Sequence, residues 1–505
     1  AEDGIRDWSV TGVQTCALPI FLFEIKDSKF YGVTVHGSRQ DSPNFIQASW
    51  LYHPDTAVRS LAHDGSGPEP GLKDDDGHWD LRPHASRITK VTDETLRAWH
   101  ATMETDDVPI RQTRMVYAVN RSSARVLEKL SRARRIGELG LRFSRGWDES
   151  IDRKKGYFES EWAVPDSWDN VILQGPHLFV ATPFYKTPNR TLLHNQDWSA
   201  TDFEQLSADA VPATAYQPIG DRYDYDCAYT DWGDEDNPDP ARDHYRIAWR
   251  TMAANQGERT LMPSVIPPGA SHVDGVFSMG LPGGDLRDLI LVGGYLSSLI
   301  TDYSIRVAPK STIRAGSVSR IAVGQPHPLD VCLLLRTLRL NCVTRAYADL
   351  WRDCYAEEFV DDTWAGGFAH RRRVPLGRVG PEWTPDTPLR IAADRRQALV
   401  EIDALVALML GLTADELCTI YRTQFAVLRG YDRDVYYYDV NGRLVPNSVL
   451  SVWRKKGDRI TEEERTATNQ AGYTYTYELP FVTLDREADM RQAYAHFERL
   501  LEERS

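Results

Sequence analysis

The side chains best placed to do chemistry in this sequence are cations gathered in one stretch. Residues 111–155 hold thirteen basic side chains against five acidic ones, although the whole chain of 505 residues carries a formal charge of −14. Arg111, Arg114, Arg121, Arg125, Arg132, Arg134 and Arg135, followed by Lys154 and Lys155, lead this island. Phosphate neutralisation requires such clustering, because condensed counterions are released locally wherever a cation meets a phosphate. The predominance of arginine suits bidentate contact with phosphate or guanine. Arg246, Arg250 and Arg259, then Arg306, Lys310 and Arg314, are the next candidates, and the run 306–320 has four basic residues and no acid. Solvated helix faces are the competing reading. The segment 221–243, with nine acidic residues against Arg222 and Arg242, offers ion-pair partners for such faces.

Motifs for other chemistries are missing from the sequence. A dinucleotide or phosphoryl site needs a glycine-rich loop after a strand, and neither G-x-G-x-x-G nor G-x-x-x-x-G-K-S/T occurs. There is no H-E-x-x-H and no G-x-S-x-G, and the thirteen histidines are scattered singly; His177, His244 and His272 read as structural. Glu24-Ile25-Lys26 has the form of half a metal-dependent nuclease site but lacks an upstream acid. Amino-methylating DNA enzymes hold a flipped base with a polar residue, two prolines and an aromatic ring. Ile266-Pro267-Pro268-Gly269 has only the prolines, and Thr182-Pro183-Phe184-Tyr185 one proline and the rings, so both read as turns. A hydrolase built from Asp224, Asp226 and Asp234 has no motif behind it. The six cysteines form no C-x-x-C, which fits a reduced, cytoplasmic protein, and no run of about 18 apolar residues predicts a membrane span.

The elements that must position these residues follow from periodicity. Helical spacing covers 111–135, and short apolar runs broken by Pro and Gly over 164–218 read as strands and turns. After Pro328 helical patterns dominate, in 330–355, 391–409, 413–425 and 486–501. Thr413 and Glu416 spell a capping box, and Met490, Ala493, Tyr494, Phe497, Leu500 and Leu501 form one apolar stripe. Asn441-Gly442 predicts a hairpin within 435–446. The expected class is α+β, with a mixed, β-rich unit over 106–325 and a mainly helical region over 326–505. Residues 1–20 resemble translated sequencing adapter, so the authentic chain is expected to begin near Phe21, with 21–105 a remnant or linker of a preceding domain.

Several phrases, in order, resemble the C-terminal half of large adenine-N6 DNA methyltransferases of type IIG restriction-modification and phage-defence systems. They are the segment from Phe21 to Trp50, ITKVTDETLRAWH (88–100), YRIAWRTMAANQGERTLMPSVIPPG (245–269), GGYLSSLITDYSIRVAPKSTIRAGSVSRIAV (293–323) and LRIAADRRQALVEIDALVALMLGLTADEL (389–417). The third is the best match. The resemblance implies a target-recognition domain over 106–325 that grips double-stranded DNA for a catalytic domain using S-adenosylmethionine. The catalytic and cofactor motifs would lie in the missing part, so no cofactor and no catalytic residue is expected in these residues. A non-catalytic scaffold, binding other subunits of a defence complex through its acidic, aromatic segment, is the alternative.

Overall fold

A computed structural model describes residues 33–504 apart from 36, 39, 105–106, 195, 235, 255–256, 308–310 and 369–373. The adapter-like segment, Glu24-Ile25-Lys26 and Lys310 lie outside the described residues. The elements used below are helices α1 (Asp93–Met103), α2 (Arg121–Leu130), α3 (Leu286–Ser297), α4 (Leu299–Arg306), α5 (Asp330–Asn341), α6 (Ala392–Met409), α7 (Ala414–Gln424) and α8 (Arg486–Arg504). The strands are β1 (Arg134–Arg135), β2 (Arg142–Ser144), β3 (Arg246–Arg250), β4 (Pro263–Ile266), β5 (Val276–Gly280) and β6 (Ala322–Val323). The class is α+β.

Four of the strands form an antiparallel sheet in the order β4-β3-β5-β2, in which Trp249 faces Pro263 on one side and Phe277 on the other. β3 and β5 are buried almost throughout because α3 lies across the sheet. This accounts for RIAWR and VFSMG reading as runs rather than alternations: a strand covered on both faces has no polar side. β1 and β6 pair separately, which carries the basic island to the turn that follows β6.

Helix starts are chemically marked. Thr92 caps α1 and Asn120 caps α2, each side-chain oxygen accepting from the amide three residues on. The Asn120 cap shortens the helix expected over 111–135 to ten residues, and 113–119 is not helical. The capping box of Thr413 and Glu416 is formed as its spelling predicts. On α8, Met490, Ala493 and Phe497 are buried and face α6. The continuous helix expected over 330–355 is broken instead. α5 ends at Asn341, the Cys342 carbonyl accepts from the Trp383 indole at 2.8 Å, and a separate helix resumes at Ala348–Cys354. Asn441-Gly442 turns as expected, with Gly442 at φ 81° and one bridge between Tyr438 and Leu444.

The boundary expected at 325/326 falls inside one cluster of buried side chains that runs from Val91 to Phe497. α3 packs on α5 and α6, so Leu289, Leu296, Leu333 and Leu405 share a single interior across that position.

Candidate nucleic-acid interface

Fourteen of the fifteen cations singled out by sequence lie among the described residues, and they differ in burial and partners. Arg125 and Arg132 are exposed and hold no hydrogen bond or ion pair among the described residues, as does Lys154. Arg111 is exposed and donates to the Asp41 carbonyl at 2.6 Å; Arg121 is exposed and donates to the carbonyls of Ala85 and Ile88 at 3.3 and 3.1 Å. Lys155 pairs with Asp152 at 3.0 Å. Arg134 is half-buried and reaches the Glu138 carbonyl at 3.3 Å, and Arg135 donates to the Arg320 carbonyl at 3.0 Å.

Arg246, Arg250, Arg259 and Arg306 are structural, which corrects the expectation that they touch DNA, whereas Arg314 remains 42% exposed. Arg246 is fully buried and donates to the carbonyls of His244 and Ala270 and to the Tyr229 hydroxyl. Arg250 donates to the Leu178 carbonyl at 2.8 Å and lies over the rings of Phe179 and Tyr185. Arg259 and Arg306 share the buried Asp302 carboxylate at 2.8 and 3.1 Å. Arg259 also donates to Ser297 and Ser298, and Arg306 to Gly257 and Gln424. Arg314 and Arg145 share Asp274. A guanidinium with five donors in a planar fork can satisfy several buried carbonyls at once, so folding consumes these side chains before any ligand arrives.

One residue missed by sequence belongs with the exposed group. Arg320 is half-buried beside Arg114 and Ser317 in a small recess under the end of α1, and its guanidinium makes no hydrogen bond among the described residues. Arg114 spends its charge on Glu104 at 2.7 Å. Burial opposes ionisation of Glu104, but the bonds from Arg114 outweigh it and hold the carboxyl below its usual range. Burial, and then the charge of Arg114, hold Arg320 below the usual guanidinium range. Glu104 thus acts electrostatically on both guanidiniums but bonds only Arg114. The acid-free run 306–320 was the signal that pointed to Arg320.

The acidic segment is largely self-satisfied. Asp221 caps the helix Arg222–Ala228, Asp226 pairs with Arg222 and with Arg242, and Asp234 accepts from the amides of Asp236 and Asn237. Asp226 and Asp234 thus hold separate local roles, and Asp224 contributes only its amide to the Asp221 cap, so the described structure brings no dispersed hydrolase constellation together. His177 and His272 are fully buried, as their structural reading requires, and burial pushes them down to about 4 and about 3. Asp74, Asp76 and His78 approach one another in an exposed turn whose amides already use the Asp74 carboxylate. The turn ending at Gly269 has a left-handed residue, φ 87°, where a Cβ would meet the backbone of Asp169 at 3.0 Å. No family profile matches the sequence, and no curated protein is detectably similar to it. Among the described residues no helix is long and apolar enough to cross a membrane.

Proposed function

We propose that the chain grips double-stranded DNA as the target-recognition and C-terminal helical region of a site-specific adenine-N6 DNA methyltransferase of a restriction-modification or phage-defence system, with S-adenosylmethionine bound elsewhere in the intact protein. The observation that carries the reading is the unspent charge around α1 and α2. Arg125, Arg132 and Arg320 keep their guanidiniums free of hydrogen bonds and ion pairs among the described residues, whereas the later arginines are committed. α1 packs on α2, and Arg125 and Arg132 both act electrostatically on Glu128, so these cations share a neighbourhood. Cations left unpaired at a surface are the ones that can release phosphate counterions. The phrases quoted above supply the methyltransferase context.

The test is binding of the whole chain to random-sequence duplex DNA by fluorescence anisotropy across a salt series. A log–log slope of several units supports the reading. Absence of binding at low salt overturns it in favour of a scaffold that engages other defence subunits. The exposed ring of Tyr223, 76% accessible on the acidic helix Arg222–Ala228, favours that second reading.

A further inference from the structure

A cavity of about 260 Å3 opens between α3, the β1–β2 connection and the turn after β6. Its walls are aliphatic, from Leu139, Leu141 and Leu291, and its polar groups converge from three elements. Tyr295 of α3 is 4% exposed; the Gly324 amide bears on its buried hydroxyl oxygen, and among the described residues no acceptor takes the hydroxyl proton. Burial, and then the charge of Asp330, keep this phenol protonated, so it is a donor without an acceptor. Asp330 accepts from the His327 amide through Oδ2 at 2.8 Å, and its Oδ1 receives no hydrogen bond among the described residues. Asp288, exposed at the rim, adds a second carboxylate close enough to act on Asp330, and Arg134, which also donates to the Glu138 carbonyl, adds a cation at the same cavity. Gly324 lies against the Tyr295 hydroxyl, where a Cβ would collide with it, so the backbone leaves that oxygen its space.

An occupant must answer all of these groups together. It needs donors for two carboxylates, an acceptor for the Tyr295 hydroxyl, an anionic or acceptor group for Arg134, and apolar faces for the leucines. A bare divalent cation fits poorly, because hard cations take six or more oxygen ligands and these walls are aliphatic. A simple amine meets repulsion from Arg134. We propose that this cavity binds an amino-bearing nucleobase of a nucleotide, its amino group on Asp330 and Asp288, a ring nitrogen on the Tyr295 hydroxyl and its phosphate toward Arg134. Thymine and uracil, with a single ring N–H on the pairing edge, cannot serve two carboxylates. The inference goes beyond the DNA reading, because the base can come from a free nucleotide or be turned out of a duplex.

The two sources are separated by titrating the whole chain with adenosine and thymidine monophosphates in a calorimeter, and with a duplex carrying 2-aminopurine followed by its fluorescence. Saturable binding of the adenosine nucleotide, preferred over the thymidine one and weakened about tenfold by Tyr295→Phe or Asp330→Asn, establishes the free-nucleotide form. A fluorescence rise with the duplex that Tyr295→Phe abolishes, without mononucleotide binding, establishes the extruded-base form. Duplex binding with no such rise and no mononucleotide binding overturns the inference while leaving the DNA reading intact. Leu141→Trp, which fills the cavity from a wall, must abolish either signal; a signal that survives Leu141→Trp unchanged overturns the inference.

Discussion

The arginines of 111–155 and those of 246–396 are the same residue put to opposite uses. In the first region most side chains stand in solvent, and Arg125, Arg132 and Lys154 hold no side-chain partner among the described residues. In the second, Arg246, Arg259, Arg306, Arg336 and Arg395 work as internal brackets, while Arg345 and Arg352 stay at the surface. Arg395 is nearly inaccessible, has no carboxylate partner among the described residues and donates to the carbonyls of Leu340, Leu389 and Ala181, and burial pushes it down to about 9. Arg336 lies between Asp362 and Glu401 at 2.7 Å from each, and these carboxylates hold it charged despite complete burial. The contrast teaches that a count of basic residues measures potential for anion binding only after the backbone has taken its share. Buried carbonyls without strand or helix partners must be satisfied, and arginine satisfies several at once.

The largest effect expected from this contrast is at Arg336. Arg336→Met strands Asp362 and Glu401 in the interior and should cost about 3–5 kcal/mol in denaturant unfolding. A loss below about 1 kcal/mol would mean the interior tolerates unpaired carboxylates, and the contrast would fail.

Burial acts on histidine in the same direction. His177 and His272 stay neutral when folded and regain their ordinary behaviour, near 6.5, when unfolded. The unfolded chain therefore binds more protons below that value, and stability should fall by about 1.4 kcal/mol per pH unit for each histidine as pH drops from about 6.5 toward their folded values. Unfolding free energy measured between pH 7 and 5 checks this, and His177→Gln should flatten the decline.

At the exposed end, Arg125→Ala with Arg132→Ala should change stability by less than about 0.5 kcal/mol. The salt slope of DNA binding should drop by up to about two units in the same variant. An unchanged slope would place both arginines among the merely solvated. Smallest of all, Lys154→Ala should leave unfolding unaffected and lower the slope by about one unit at most.

Much of the helical region was legible. The capping box at Thr413 and the stripe on α8 are local patterns whose physics is complete within a few residues, and both form as spelled. The break after Asn341 was not legible, because it depends on Trp383, 41 residues away, taking the Cys342 carbonyl. Within the candidate site, the exposed cations Arg125, Arg132 and Lys154 were recognisable from clustering, while Arg246, Arg259 and Arg306 were not separable from them by type or spacing. Arg320 emerges only where the end of α1 meets α4, and the cavity at Tyr295 only where β1, β6 and α3 meet.

The sequence by itself determined the α+β class, the helix caps, the local turns and the segregation of charge, since these rest on side chains within a turn or two of one another. Only the tertiary structure decided which arginines remain available to a ligand and which polar atoms are left without partners. Both depend on which distant carbonyls, carboxylates and rings the folded chain brings within hydrogen-bond reach of a guanidinium, and short-range spacing carries no record of that.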